Sequence, residues 1–201
     1  MAIDADAQLG HYRLLQAGTI AMHLRVPGPR PRGPVGVLRG AWTAPTTLLG
    51  HGLARLAGCG VAQRIGGRAS SASLYRLPAG RLRGLGAITI GHVVVVEPEF
   101  LERRERWILA HELSHTRQHD WLGPGYLLVH ALFQAVSVVA SAVRPVPGFP
   151  PQHAYNPLER RFLCVPFDAL AAPHPPSGAL AQDVLGAFGL VGGPHLVSRR
   201  T

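Results

Sequence analysis

His111, Glu112 and His115 stand in the order His-Glu-x-x-His within the run HELSH. On an α-helix, positions i and i+4 lie one turn apart on the same face. His111 and His115 can therefore aim two imidazole nitrogens at one metal ion. Glu112 is rotated by about 100° from His111, where its carboxylate can reach a water held by that metal. Zinc brings such a water to a pKa near ~7, so Glu112 would take its proton and pass it to a leaving amine. With 11 His and 6 Glu in 201 residues, shuffling yields this pattern in roughly 2% of sequences. Here it also falls inside a predicted helix directly after a predicted strand. That context favours a metal site over two surface histidines and a solvated acid.

A catalytic zinc usually takes three protein ligands and keeps one open position. Glu159 is the only glutamate after Glu112. Its context, Asn156-Pro157-Leu158-Glu159, also has the form of a capping box at a helix start, so metal ligand and cap stand as alternatives. His119 competes from the HELSH helix itself, although a drift of about 40° per four residues carries it off the metal side. Asp120 and His153 are further candidates. His153 and Tyr155, just before the capping run, could donate to the oxyanion of a tetrahedral intermediate or anchor a loop. Gln118 could brace the metal site or cap a carbonyl. His130 reads as a satisfied core histidine and His92 as an exposed strand residue.

These residues must be positioned by regular elements. Ala87–Val96, AITIGHVVVV, is β-branched through most of its length and reads as the best strand in the chain. A helix from about residue 99 to about residue 120 follows Pro98 and ends at Gly123-Pro124-Gly125. Tyr126–Val143 is an uncharged apolar helix, with residues 145–155 a loop and another helix starting at Pro157. Upstream, VPGPRPRGPVG (26–36) excludes a helix or a central strand and reads as a linker or arm. A short amphipathic helix is expected over 46–58, a strand over 73–77, and a short helix over 178–188.

The run HELSHTRQHDWLGPGYL, preceded by AITIGHVVVV, resembles poorly characterised bacterial proteins carrying an HExxHxxQ zinc-peptidase signature, over roughly residues 73–165. The resemblance implies a gluzincin-type zincin, with Zn2+ as cofactor and a peptide or protein as substrate. In that class the third ligand is a glutamate on a later helix, which matches Glu159 here. The ligand set so implied is His111, His115 and Glu159. Other members carry an Asp one turn after that glutamate to support the first ligand; here the position is Leu163. The metzincin pattern would need Gly at 118 and His at 121, and Gln118 and Trp121 exclude it.

The fold expected is α+β: a small zincin-like domain with a short sheet packed on the HExxH helix and further helices. Residues 71–170 would form it, with an Arg/Gly/Pro-rich region of unknown role over 1–70 and a Pro/Gly-rich tail over 171–201. The hydrophobic share of 47% argues against general disorder. Cys59 and Cys164 lie far apart without CxxC neighbours, the pattern of free buried thiols in a reducing compartment. No signal peptide is read at the N-terminus, so a cytoplasmic location is expected.

All 20 basic residues are arginine. Eleven lie in residues 1–90 against Asp4 and Asp6, a net of +9, while residues 91–201 balance nine against nine. Such a field suits an anionic membrane surface or a nucleic acid, but no nucleic-acid motif accompanies it. A non-catalytic zinc domain, or an anionic-surface or nucleic-acid binder using the Arg-rich half, is the alternative function. Tyr126–Val143 sets a second alternative. In a soluble domain it packs across the HELSH helix and sheet, burying Leu128, Leu132, Val136 and Val139. Its polar stripe of His130, Gln134, Ser137 and Ser141 then faces solvent or the cleft. In a membrane-associated protein the apolar face meets lipid instead.

Overall fold

The computed structural model describes residues 32–78, 86–98, 105–147, 149–160, 165 and 178–191. Their order is α1 (Pro34–Leu56), β1 (Gln63–Gly66), β2 (Ser71–Arg76), β3 (Ala87–Ile90), β4 (Val93–Val96), α2 (Glu105–Leu122), a 3-10 turn (Gly123–Gly125), α3 (Tyr126–Val143), α4 (Pro151–Ala154), α5 (Pro157–Arg160) and α6 (Ala179–Ala187). The strands form one mixed four-stranded sheet in the order β1-β2-β4-β3. β2 and β4 run parallel, while β1–β2 and β3–β4 are antiparallel. The chain is thus α+β, with a small mixed sheet and several helices.

β4 explains the layering. All four of its valines are buried, because the sheet is covered on both faces and alternate side chains point to opposite sides. Val94 and Val96 join Leu74, Trp107, Leu109, Leu113, Val184 and Phe188 in the core beneath α2 and α6. Val93 and Val95 join Ala54, Tyr75 and Leu77 beneath α1, with Cys59 half-buried at that margin. Cys164 lies outside the described residues.

Four expectations are corrected. Residues 87–96 are not one strand but a hairpin, reversing at Gly91-His92. Gly91 has φ +62°, and an added Cβ would sit 2.5 Å from the Thr47 backbone, so only glycine makes this turn under α1. Helix α1 starts at Pro34, inside the segment read as a linker, and runs through Pro45. Pro34 sits at the first helical turn, where its missing N–H costs nothing. Around Pro45, the hydroxyls of Thr43 and Thr46 donate to the carbonyls of Arg39 and Thr43. The 145–155 loop contains one helical turn, α4. Finally, His92 lies in the hairpin turn, its Nδ1 2.9 Å from Ser71 O and its Nε2 3.0 Å from Asp120 Oδ1.

The apolar helix has the residue bounds expected, Tyr126–Val143, but the opposite orientation. Leu128, Leu132, Val136 and Val139 are 77%, 61%, 54% and 67% exposed. Ser137 and Ser141 are buried and donate to Pro151 O of α4. The polar stripe therefore packs inward, with His130 toward the cleft as one of the expected arrangements allowed, but the burial expected for Leu128, Leu132, Val136 and Val139 is corrected, since that stripe faces outward. Among the described residues, one helical run, Glu105–Val143, contains an 18-residue stretch long and apolar enough to cross a membrane, 17% of it buried.

Candidate metal centre

Helix α2 is buried along most of its length because it lies between the sheet and the α3–α5 return. This is how HELSH, polar in composition, comes to sit in the interior. His111 and His115 lie one turn apart with their Nε2 atoms 3.2 Å from each other. Glu159 enters from α5, its Oε2 3.1 Å from His111 Nε2 and 3.6 Å from His115 Nε2. The cap at this helix start and the Glu159 carboxylate are separate. Asn156 Oδ1 accepts from Leu158 N–H at 2.9 Å and caps the helix start. The Glu159 carboxylate turns instead to the histidines, and Oε2 is buried without a hydrogen-bond partner of its own.

The tautomers follow from what surrounds the rings. Val165 O, 2.7 Å from His111 Nδ1, can only accept, so Nδ1 carries the proton and Nε2 a lone pair. For His115, Gln118 decides. Its Nε2 donates to Leu158 O at 2.7 Å, which directs its Oε1 to His115 Nδ1 at 2.8 Å. Nδ1 must then donate, and His115 Nε2 also presents a lone pair. Two imidazole lone pairs and a carboxylate oxygen thus face one another in a buried space. Only a cation or a proton relieves that repulsion.

The spacing suits a tetrahedral metal site. A tetrahedral site with bonds of about 2.05 Å has ligand–ligand edges of roughly 3.3 Å, against 3.2, 3.1 and 3.6 Å here. His111, Glu112 and His115, and likewise His115, His130 and Glu159, are grouped closely enough to hold a metal ion. Without one, a proton takes the cation's place. Burial lowers the His115 pKa, but the Glu159 carboxylate, with Glu112 and Gln118, outweighs it and raises the value to about 9. Burial likewise works to raise Glu159, yet His115, His111 and His130 hold it well below the usual carboxylate range.

Glu112 lies beside the cluster with Oε2 accepting from Thr89 Oγ1 of β3 at 2.6 Å. His153 is brought in as well, its Nδ1 3.2 Å from Glu159 Oε2. Tyr155 is not. It is exposed, and its hydroxyl donates to Arg144 O at 2.7 Å, anchoring the return from α3. An oxyanion role for Tyr155 is thereby corrected to loop anchoring. His119 turns away from the cluster, with Nε2 accepting from Gly91 N–H at 3.1 Å and its ring tilted 41° against that of Tyr126. Asp120 is engaged with His92. Leu163 lies outside the described residues, and the carbonyl of Val165 supports His111 instead.

Two residues escaped the sequence reading. His130, taken as a core histidine, places Nε2 3.0 Å from Glu159 Oε1. Tyr126, the first residue of α3, sets its hydroxyl 2.6 Å from His130 Nδ1 and 3.1 Å from His115 Nδ1. The available signal was their i, i+4 spacing at the start of a helix joined to the HELSH helix by only three residues. Compared with known proteins, the chain matches no family model, no curated protein and no solved structure.

Proposed function

We propose that the chain is a zinc metallohydrolase of gluzincin type, acting as a metallopeptidase on an amide bond. The observation that carries this reading is the convergence of His111 Nε2, His115 Nε2 and Glu159 Oε2 at zinc-like spacing with Glu112 alongside. These three residues would be the protein ligands. Bound there, zinc would supply Lewis acidity and an acidified water. Glu112 is the base, kept at its post by Thr89 and acting as acid toward the leaving amine. His153, partly exposed beside Glu159, would donate to the developing oxyanion. Strand β3 is an edge of the sheet and carries Thr89. An extended peptide pairing with that edge would present its carbonyl next to Glu112.

Turnover of a fluorogenic peptide panel by zinc-loaded protein tests the reading. Glu112→Gln should retain zinc and lose activity by a factor of about 10² or more. Cleavage by this variant at the wild-type rate would sink the mechanism. A second reading has its own support: His130 and His153 add two imidazoles around Glu159, and a metal enclosed by protein donors is structural rather than catalytic. Stoichiometric zinc with no cleavage of any peptide by the wild type would favour it.

A further inference from the structure

Among the described residues, most exposed apolar side chains of α1 and α3 gather on one side of each helix, with Val37 and Leu48 of α1 and Val138 of α3 outside those sectors. Along α3, Leu128, Leu132, Val136, Val139 and Val143 are all exposed, and at 100° per residue they fall within a sector of about 80°. His130, Gln134, Ser137 and Ser141 lie roughly opposite. Along α1, Val35, Leu38, Trp42, Leu49, Leu53 and Leu56 are exposed and fall within about 60°. Both helices pack against the Gly123–Gly125 turn, where Trp42 lies so close to Gly123 that a Cβ there would strike its indole. The exposed Trp121 stands next to this junction beneath the Arg39 guanidinium, 4.7 Å from its ring centroid.

We infer that the outer faces of α1 and α3 form a monotopic docking surface for an anionic lipid bilayer. Charge selects this occupant. No acid occurs between Asp6 and Glu97, while that stretch holds eleven arginines. Among the described residues, Arg39 and Arg55 lie on α1 and Arg32 just before it; an anionic headgroup layer complements that charge, whereas a second copy would set like charges against each other. Indole rings beside a guanidinium at the edge of an apolar face match the headgroup region, where amphipathic side chains keep one end wet. The helix lies on the bilayer rather than crossing it. The inner side of α3 is covered by α4, and the Pro151 carbonyl there accepts from Ser137 and Ser141. Spanning would carry α4 and the non-helical backbone of residues 144–147 and 149–150 beside it into hydrocarbon; lying flat immerses only the apolar sector. Tyr126 and His130 belong to the same helix, so docking holds the metal cluster at the bilayer surface.

Flotation of the full chain with vesicles tests this without any activity readout, so it stands or falls separately from the hydrolase reading. The wild type should float with phosphatidylcholine–phosphatidylglycerol vesicles and far less with phosphatidylcholine alone. Part of the bound protein should survive a high-salt wash. Leu128→Glu/Leu132→Glu/Val139→Glu should lower partitioning by about tenfold or more with an unchanged melting temperature, since all three sites are exposed. Should that variant fold poorly, quenching of wild-type tryptophan emission by brominated lipid, weakened in Trp42→Phe, gives the same answer. Three results would overturn the inference: a wild type that stays soluble with both vesicles, a triple variant that floats like the wild type, or a dimer that the triple substitution dissociates without any vesicle binding.

Discussion

Gln118→Met is the perturbation that most sharply examines how the metal centre is held. Gln118 makes two buried contacts, accepting from His115 Nδ1–H at 2.8 Å and donating to Leu158 O at 2.7 Å. The first fixes the His115 tautomer; the second ties the ligand helix α2 to α5, one residue before Glu159. Methionine nearly preserves the volume but provides neither contact. Loss of a hydrogen bond behind a metal-ligating histidine costs about 10–100-fold in metal affinity, or about 1.4–2.8 kcal/mol. The Leu158 carbonyl, left buried without its donor, costs about 1–3 kcal/mol of stability besides. Competition with a zinc-selective chelator at pH 7.5 measures the first effect, and urea unfolding of the metal-free chain measures the second. Gln118→Glu separates them: it keeps an acceptor for His115 and should hold zinc far better than Met, while losing the Leu158 contact. Zinc affinity within twofold of wild type in Gln118→Met would refute the tautomer argument.

Other outcomes follow from the same geometry. His119 is buried and its pKa is lowered to about 3, first by desolvation and then by repulsion from neighbouring histidines. Its folded-state pKa lies below the unfolded value of ~6.5. The unfolded chain therefore binds the extra proton, and stability present above about pH 6.5 is lost as pH falls toward 3. The metal-free wild type should lose on the order of 2–4 kcal/mol from this group by pH 4, and His119→Gln should flatten the pH dependence of Tm in that window. Gly91→Ala should destabilise by about 2 kcal/mol or more, from the left-handed backbone and a Cβ 2.5 Å from the Thr47 backbone. Its urea midpoint would fall with an unchanged m-value.

What the sequence disclosed was what local spacing encodes. The pair His111 and His115 needs only a helix, and the run Asn-Pro-Leu-Glu names a helix start whose acid can be used elsewhere. The bounds of α3 were readable because Gly-Pro-Gly opens it and prolines follow it. Its orientation was not, because a stripe pattern says which residues share a face but not which face meets protein. That depended on α4 offering Pro151 O to two serines. The β3–β4 hairpin was hidden because Val, Ile and Thr flank Gly91 without the Asn-Gly or Asp-Gly signal of a two-residue turn. An isolated glycine inside a strand pattern was the cue. Pro45 likewise masked the first half of α1, since a proline reads as a break where threonine hydroxyls take up nearby carbonyls. His130 reaches Glu159 only because the three-residue turn folds α3 back beside α2.

The central claim is that His111, His115 and Glu159 together hold one zinc ion, and metal content by mass spectrometry tests it most directly. The full chain, purified without chelator and compared with Glu112→Gln, His115→Ala and Glu159→Ala, should carry about one zinc in the wild type and in Glu112→Gln. It should carry almost none in the other two variants. A wild type free of zinc after loading, or a Glu159→Ala variant that keeps its zinc with wild-type affinity, would contradict the account.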